Sequence, residues 1–161
     1  MIIVAGLAGA LAVSPAARAD DDKAGLHLAL LAGLGVGYGL AGANLEARFG
    51  HIALDVGGGV ASVGILDADP PAFQIGLRAF LGQGEGLMLS VHGVPDIAGT
   101  LTPPDSRMIL VGATLGWRFR FTHFLLDLGA GALRVRERSL GGRNPVDGYL
   151  PDLDLGIGWE F

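Results

Sequence analysis

A serine and a histidine two residues apart, Ser90 and His92, are the first candidates for chemistry in this sequence. In an extended strand, residues two apart lie on one face, so the hydroxyl and the imidazole would be neighbours. A serine nucleophile needs a base within hydrogen-bond reach, and that base needs a third group to orient it. The sequence identifies no third group, so we expect two polar residues that fill space rather than a catalytic pair.

Three more histidines, His27, His51 and His123, are candidate metal ligands. Imidazole is a common zinc ligand, but these residues come from separate segments and show no ligand spacing. The chain also has no cysteine, which excludes thiolate metal sites and disulfides. We expect solvated histidines, and we predict neither a metal nor a cofactor.

Charged residues recur at positions that alternate with apolar ones, and they form the largest candidate site. Burial of a charge is costly unless an opposite charge accompanies it. Because both signs occur at these positions, we predict a network of ion pairs inside a closed sheet. The predicted members are Glu46, Arg48, Asp55, Arg78, Arg118, Arg120, Asp127, Asp152, Asp154 and Glu160. The alternative is a narrow pore, in which broken pairs open a path for ions or small solutes.

Two segments, 108–121 and 151–161, show the alternation most clearly. In the first, every odd position from 109 to 121 is apolar, whereas Arg118 and Arg120 stand on the other face. The second repeats the pattern up to Trp159 and Phe161, with carboxylates and glycines between the apolar residues. A helix would mix the two sets because its period is 3.6 residues. Both segments are therefore predicted to be β-strands.

Weaker alternation predicts six further strands, which brings the expected number to eight. They cover residues 26–37, 43–49, 52–61, 73–82, 86–97 and 124–136, and short connections alternate with long ones. Val36 extends the outward apolar face of the first strand. At Ala132-Leu133 the alternation slips, which indicates either a β-bulge or the rim of a barrel.

The composition supports this assignment. Hydrophobic residues make up 50% of the chain, yet after its first residues no apolar run approaches the roughly 18–20 residues of a spanning helix. The 28 glycines would weaken helices, and the net charge of −5 without a basic run excludes a nucleic-acid partner. We therefore predict an all-β protein, a transmembrane antiparallel up-and-down β-barrel of eight strands with its apolar side facing outward.

The first 19 residues have the features of a signal peptide. An apolar stretch at 2–13 is followed by Ser14-Pro15 and by the small-x-small sequence Ala17-Arg18-Ala19. Cleavage after Ala19 would remove the single charge of Arg18, so the net charge would change from −5 to −6. The predicted organisation is a signal peptide at 1–19, a short segment at 20–25 and a barrel at 26–161.

Taken together, these segments resemble the small outer-membrane β-barrels of the OmpA-like and OmpX-like group. The likeness covers 26–161, and its most specific part is the sequence Trp159-Glu160-Phe161, with 44–50 (NLEARFG) in support. The resemblance implies insertion into the bacterial outer membrane, with its lipid and lipopolysaccharide as partners. It also implies that Trp159 and Phe161 form the signal by which the barrel-assembly machinery recognises the chain.

A fold of this kind hosts many tasks, so it says little about function. We expect a monomeric, non-enzymatic barrel with a structural or surface-interaction role. A narrow pore is the second reading, and a lipid-modifying enzyme that uses Ser90 and His92 is the third. Four arginines around the last long connection could pair with lipopolysaccharide phosphates: Arg134, Arg136, Arg138 and Arg143.

Overall fold

Eight antiparallel strands form one closed barrel in the computed structural model, which describes residues 25–60, 71–95, 106–139 and 147–161. Each strand pairs with its neighbours in the sequence, and β8 pairs with β1 to close the barrel. The strands are β1 Leu26–Gly35, β2 Leu40–Phe49, β3 Ile52–Val60, β4 Pro71–Phe80, β5 Gly86–Pro95, β6 Ser106–Phe121, β7 Phe124–Ser139 and β8 Asp147–Glu160. The predicted fold class is thus confirmed as an eight-stranded, up-and-down barrel. In the described part of the chain, no helix has the length and apolar character needed to cross a membrane.

The two faces of the barrel have opposite chemistry. Along β4, exposed and buried residues alternate without interruption, and the other strands follow the same rule over most of their length. The outward face carries one leucine from every strand, each between 43% and 57% exposed. We call this set the leucine belt: Leu30, Leu45, Leu54, Leu77, Leu89, Leu115, Leu128 and Leu155. The buried polar and charged side chains point into the lumen instead.

The barrel has two different ends. At one end, here the short-turn end, the connections 50–51, 81–85 and 122–123 join successive strands. Gly50 and Thr122 adopt positive φ angles of 58° and 59°, which tight turns between antiparallel strands require. The opposite end is the loop end. There β6 and β7 have 16 residues and β8 has 14, whereas β1 to β5 have 9 or 10.

This difference in length gives the sheet a one-sided rim. Pairing between β8 and β1 begins only at Leu155, and pairing between β5 and β6 stops at Ile109. The residues beyond these points continue as a three-stranded projection. We call it the lip: Arg134–Ser139 of β7 together with the paired ends of β6 and β8.

The connection between β1 and β2 folds into the lumen rather than away from it. Strand β1 ends at Gly35, whose φ of 113° is suited to glycine, and a 3-10 turn follows at Val36–Tyr38. We call these three residues the inward turn, and all three are buried. The predicted first strand at 26–37, with Val36 facing outward, is therefore wrong at its end. Val36 is 1% exposed and contacts the apolar interior.

Of the two readings of the slip at Ala132-Leu133, the β-bulge is wrong and the rim of the barrel is confirmed. Both ladders of β7 run through these residues in continuous register, with Leu133 opposite Gly112 on β6 and Leu150 on β8. Leu133 is buried and Val135 is half-buried, whereas Arg134 and Arg136 are exposed. The register is thus unbroken, and it is the polarity of the two faces that is exchanged at the rim.

Candidate functional site

Arg118 lies at the centre of the lumen and is fully buried. Its Nη1 and Nη2 atoms donate to both carboxylate oxygens of Glu46 on β2, at 2.6 and 2.8 Å. Its Nε and Nη2 atoms donate to both oxygens of Asp127 on β7, at 2.6 and 2.7 Å. The planar guanidinium matches each carboxylate with two parallel hydrogen bonds. Arg118 therefore joins β6 to its neighbour β7 and, across the lumen, to β2.

Arg78 extends this network to the opposite wall. Its Nε donates to Asp55 Oδ2 at 2.8 Å, and its Nη1 donates to Asp127 Oδ2 at 2.6 Å. The same Nη1 stands 3.5 Å from Glu46. Two arginines thus share three carboxylates in a continuous chain across the barrel. Because each charge has an opposite partner, the burial of all five is tolerable.

Tyr38, from the inward turn, completes the centre. Its hydroxyl donates to Asp127 Oδ2 at 3.3 Å, and the Arg78 guanidinium lies 5.5 Å from its ring centroid. Two glycines make room for it, since a Cβ at Gly33 would stand 2.8 Å from the ring and one at Gly156 would stand 1.9 Å from the hydroxyl. The inward turn therefore occupies space that side chains fill elsewhere in the lumen.

A second group of charges closes the short-turn end around Glu160, which is 2% exposed. Arg48 donates to its two oxygens at 3.1 and 3.2 Å, and Arg120 lies 2.9 Å from Oε1. His27 Nδ1 stands 3.0 Å from the same oxygen. Phe80 and Met88 pack nearby with Ala53 as a small apolar cluster.

A third group lies towards the loop end, where β5, β6 and β8 face one another. His92 Nε2 is 3.0 Å from Asp152 Oδ2, and Thr114 donates to Asp154 Oδ2 at 3.1 Å. Ser90 is buried on the same face as His92, but the hydrogen bond recorded for the imidazole goes to Asp152. Above this group, apolar side chains cover the lumen: Val36, Ala72, Val94, Leu110 and Leu133, with Leu40 and Val135 against them.

The structure thus brings the sequence-predicted charges together in three groups. Glu46, Asp55, Arg78, Arg118 and Asp127 form the centre, Arg48, Arg120 and Glu160 lie at the short-turn end, and Asp152 and Asp154 lie near the loop end. His27, His51 and His123 all lie at the short-turn end. There His51 contacts the Gly82 carbonyl, and His123 contacts that of Glu160. Trp159 and Phe161 are exposed on the outer face.

Sequence reasoning missed three lumen residues that lack charge: Tyr38, Asn44 and Gln74. Asn44 donates to the Gly37 carbonyl, and Gln74 donates to Asp55. A signal for Tyr38 existed in the glycines at 33 and 156, since inward positions without side chains imply that something else fills the space.

On the outer surface of the lip, Arg134 donates to both oxygens of Asp147, at 3.0 and 2.8 Å. These hydrogen bonds lower the pKa of the Asp147 carboxyl, so the pair stays charged in neutral and mildly acidic water. Arg136 is exposed beside it. Arg138 lies in β7, but its side chain is outside the described part of the structure. Arg143 lies outside the described residues.

The chain matches no protein-family model, no curated protein sequence and no solved structure. The function is therefore inferred from the geometry of the barrel. That geometry offers charges held in fixed pairs, a turn folded into the lumen and a belt of exposed apolar residues.

Proposed function

We propose that this chain is an integral protein of the bacterial outer membrane with a structural or surface-contact role and a closed lumen. The observation that carries the proposal is the leucine belt, because a water-soluble barrel would place its polar side chains on that face. Soluble proteins rarely expose a continuous apolar surface larger than a few hundred Å². A lipid-facing band of apolar side chains around polar lumen residues is typical of membrane barrels.

The contents of the lumen support a structural role over a conduit. Arg118 and Arg78 are held by short hydrogen bonds to carboxylates on opposite walls, and the inward turn occupies the space beside them. An ion crossing the barrel would have to displace paired charges, each of which is costly to leave without its partner. On this proposal the barrel is a rigid membrane element that contacts other molecules through the lip and through the connections between its strands.

Lipopolysaccharide is the proposed surface partner, through Arg134 and Arg136 on the lip. Guanidinium groups bind phosphate with paired hydrogen bonds, which suits them to the phosphates of that lipid. Recognition of Trp159 and Phe161 by the barrel-assembly machinery remains part of the proposal. A monomer is the proposed state, because the leucine belt would face lipid along its whole circumference.

Two measurements test the membrane assignment. The chain has two tryptophans, Trp117 and Trp159, and both are exposed on the outer face. Refolding into vesicles of lipids with brominated acyl chains should quench the fluorescence of both tryptophans. The single variants Trp117→Phe and Trp159→Phe should show how much of the quenching comes from each residue. The same vesicles without bromine serve as the control. Unquenched emission from a folded barrel, with folding verified by heat-modifiable gel mobility, would overturn the membrane assignment.

Single-channel recording in a planar bilayer then tests the role. A folded barrel that stays silent supports the structural reading. Stepwise conductance would favour the narrow pore instead and would make Arg118 and Arg120 the next residues to replace. Release of fatty acid from lipid A, lost on replacement of Ser90 or His92, would favour the lipid-modifying enzyme.

A further inference from the structure

Three buried side chains with metal-binding atoms converge near the loop end: His92 from β5 and Asp152 and Asp154 from β8. Their exposed fractions are 4%, 3% and 7%. His92 Nε2 lies 3.0 Å from Asp152 Oδ2 and 3.8 Å from Asp154 Oδ2, and one ligand atom from each residue falls within 4.8 Å of the others. The histidines that the sequence offers as candidate ligands, His27, His51 and His123, are not part of this group, because sequence spacing does not connect His92 with aspartates 60 and 62 residues away.

The carboxylates of this group have no arginine partner among the described residues, whereas in the central network two arginines offset three carboxylates. Two carboxylates contribute −2, and one imidazole contributes at most +1. Among the described residues, the ion pairs of Asp152 and Asp154 are both with His92. In the central network, Asp55 and Asp127 pair with arginines instead. Even with His92 protonated, an ionised pair of aspartates leaves a net negative charge in the lumen. A divalent cation with a neutral imidazole would bring the sum to zero.

Hydrogen bonds from other residues fix how the two carboxylates point. The backbone amides of Val36 and Gly37 donate to Asp152 Oδ1 and Asp154 Oδ1, at 3.4 and 3.2 Å. The Oδ2 atom of Asp152 faces His92 Nε2, and that of Asp154 faces the same nitrogen while it accepts a hydrogen bond from Thr114. Hydrogen bonds of this type orient metal ligands in proteins and raise their affinity. The inward turn, which lies in the lumen beside these carboxylates, thus holds them in position.

The wall opposite these ligands is left open by glycine. A Cβ at Gly112 on β6 would stand 2.5 Å from His92 Nε2 and 2.6 Å from Asp152 Oδ2. A side chain at position 112 would therefore occupy the space between the ligand atoms. The same absence of a side chain at Gly37 keeps the other side clear, since a Cβ there would lie 3.2 Å from both Asp154 oxygens.

We propose that His92, Asp152 and Asp154 bind one divalent transition-metal ion of the Zn²⁺ class. Ligands at about 2.0–2.1 Å in a tetrahedral arrangement stand about 3.3–3.4 Å apart, and the 3.0 and 3.8 Å separations bracket that value. The mixture of one imidazole and two carboxylates suits Zn²⁺ better than Mg²⁺, which prefers oxygen ligands alone. The ion would link β5 to β8 across the lumen and hold the inward turn through the same carboxylates.

Metal analysis of the full barrel, refolded with and without Zn²⁺ and then dialysed, tests the proposal. We expect one zinc per chain after refolding in Zn²⁺. Affinity should fall more than tenfold in His92→Gln and Asp152→Asn, and also in Gly112→Ala, which keeps all three ligands but fills the space between them. His51→Gln is the matched control, because it removes an exposed histidine that lies away from the site.

Two results would overturn the proposal. One is a folded wild-type barrel that retains no zinc after refolding in its presence. The other is equal retention by His92→Gln and His51→Gln. If the lumen variants fail to fold, X-ray absorption at the zinc edge of the wild-type protein decides. One imidazole with oxygen ligands at about 2.0–2.1 Å supports the site, and a shell of several imidazoles refutes it.

Discussion

Replacement of Arg118 by methionine is the sharpest test of the paired lumen. Methionine keeps most of the length and apolar contact of the side chain but removes four charge-assisted hydrogen bonds to Glu46 and Asp127. Asp127 retains Arg78 at 2.6 Å, but Glu46 is left with the same arginine at 3.5 Å. Loss of one partner from a buried pair costs about 3–5 kcal/mol.

This cost is large enough to measure by urea unfolding in vesicles, followed by the fluorescence of Trp117 and Trp159. With an m-value of about 2 kcal/mol/M, the midpoint should fall by about 1.5–2.5 M. Adding Glu46→Gln to Arg118→Met removes the stranded charge and should recover at least about 1 kcal/mol. Single-channel recordings of the folded variant should remain silent, because the inward turn still fills the lumen.

The control is Arg134→Met, which breaks the solvent-exposed pair with Asp147 on the lip. Exposed ion pairs contribute little, so we expect no measurable change in its midpoint. If Arg118→Met unfolds at the same urea concentration as Arg134→Met, the lumen pairs do not stabilise the barrel. An unchanged midpoint together with new conductance would show that the lumen is a path rather than a plug.

Three further substitutions follow from the geometry. Gly156→Ala should destabilise the barrel by about 1–3 kcal/mol, because the added Cβ would meet the Tyr38 hydroxyl. An equal loss of stability when Tyr38 is already replaced by alanine would contradict this reason. Leu115→Arg in the leucine belt should lower the free energy of unfolding in a bilayer by about 2–4 kcal/mol, whereas Leu81→Arg in a turn should lower it by about 0–1 kcal/mol. Equal losses would argue against a lipid-facing belt. Thr122→Gly should stabilise the barrel by about 1 kcal/mol in urea unfolding because φ is 59° there, and a lower midpoint would refute the strain.

The fold was predictable because strand alternation is a local property of the sequence. Segment 151–161 separates polar from apolar residues completely, and segment 108–121 does so from position 111 onwards. The strands found there match within a few residues. The identity of the inward charges followed from the same pattern. Their grouping into three sets did not, because alternation assigns a residue to a face but gives no height along the barrel and no partner across it.

The outward placement of Val36 and the bulge reading at Ala132-Leu133 fail for the same physical reason. Both readings rest on polar residues facing inward and apolar residues facing outward along the whole barrel, but the loop end reverses that rule. Val36 is apolar because it covers the lumen from within, and Leu133 is apolar for the same reason. The apparent slip at Ala132-Leu133 is thus a change of surroundings rather than of register. The positive φ of Gly35, which ends β1, cannot be read from alternating residues at all.

The lip makes the barrel directional about its own axis. At about 3.3 Å per residue and a tilt near 40°, the six residues from Arg134 to Ser139 rise about 15 Å above their start. A partner that binds the strand edges of the lip would therefore be held at a fixed position around the barrel axis. A neighbouring molecule bound to the lip could not rotate freely around the barrel. Molecules joined one after another by this contact would therefore all have the same relative orientation.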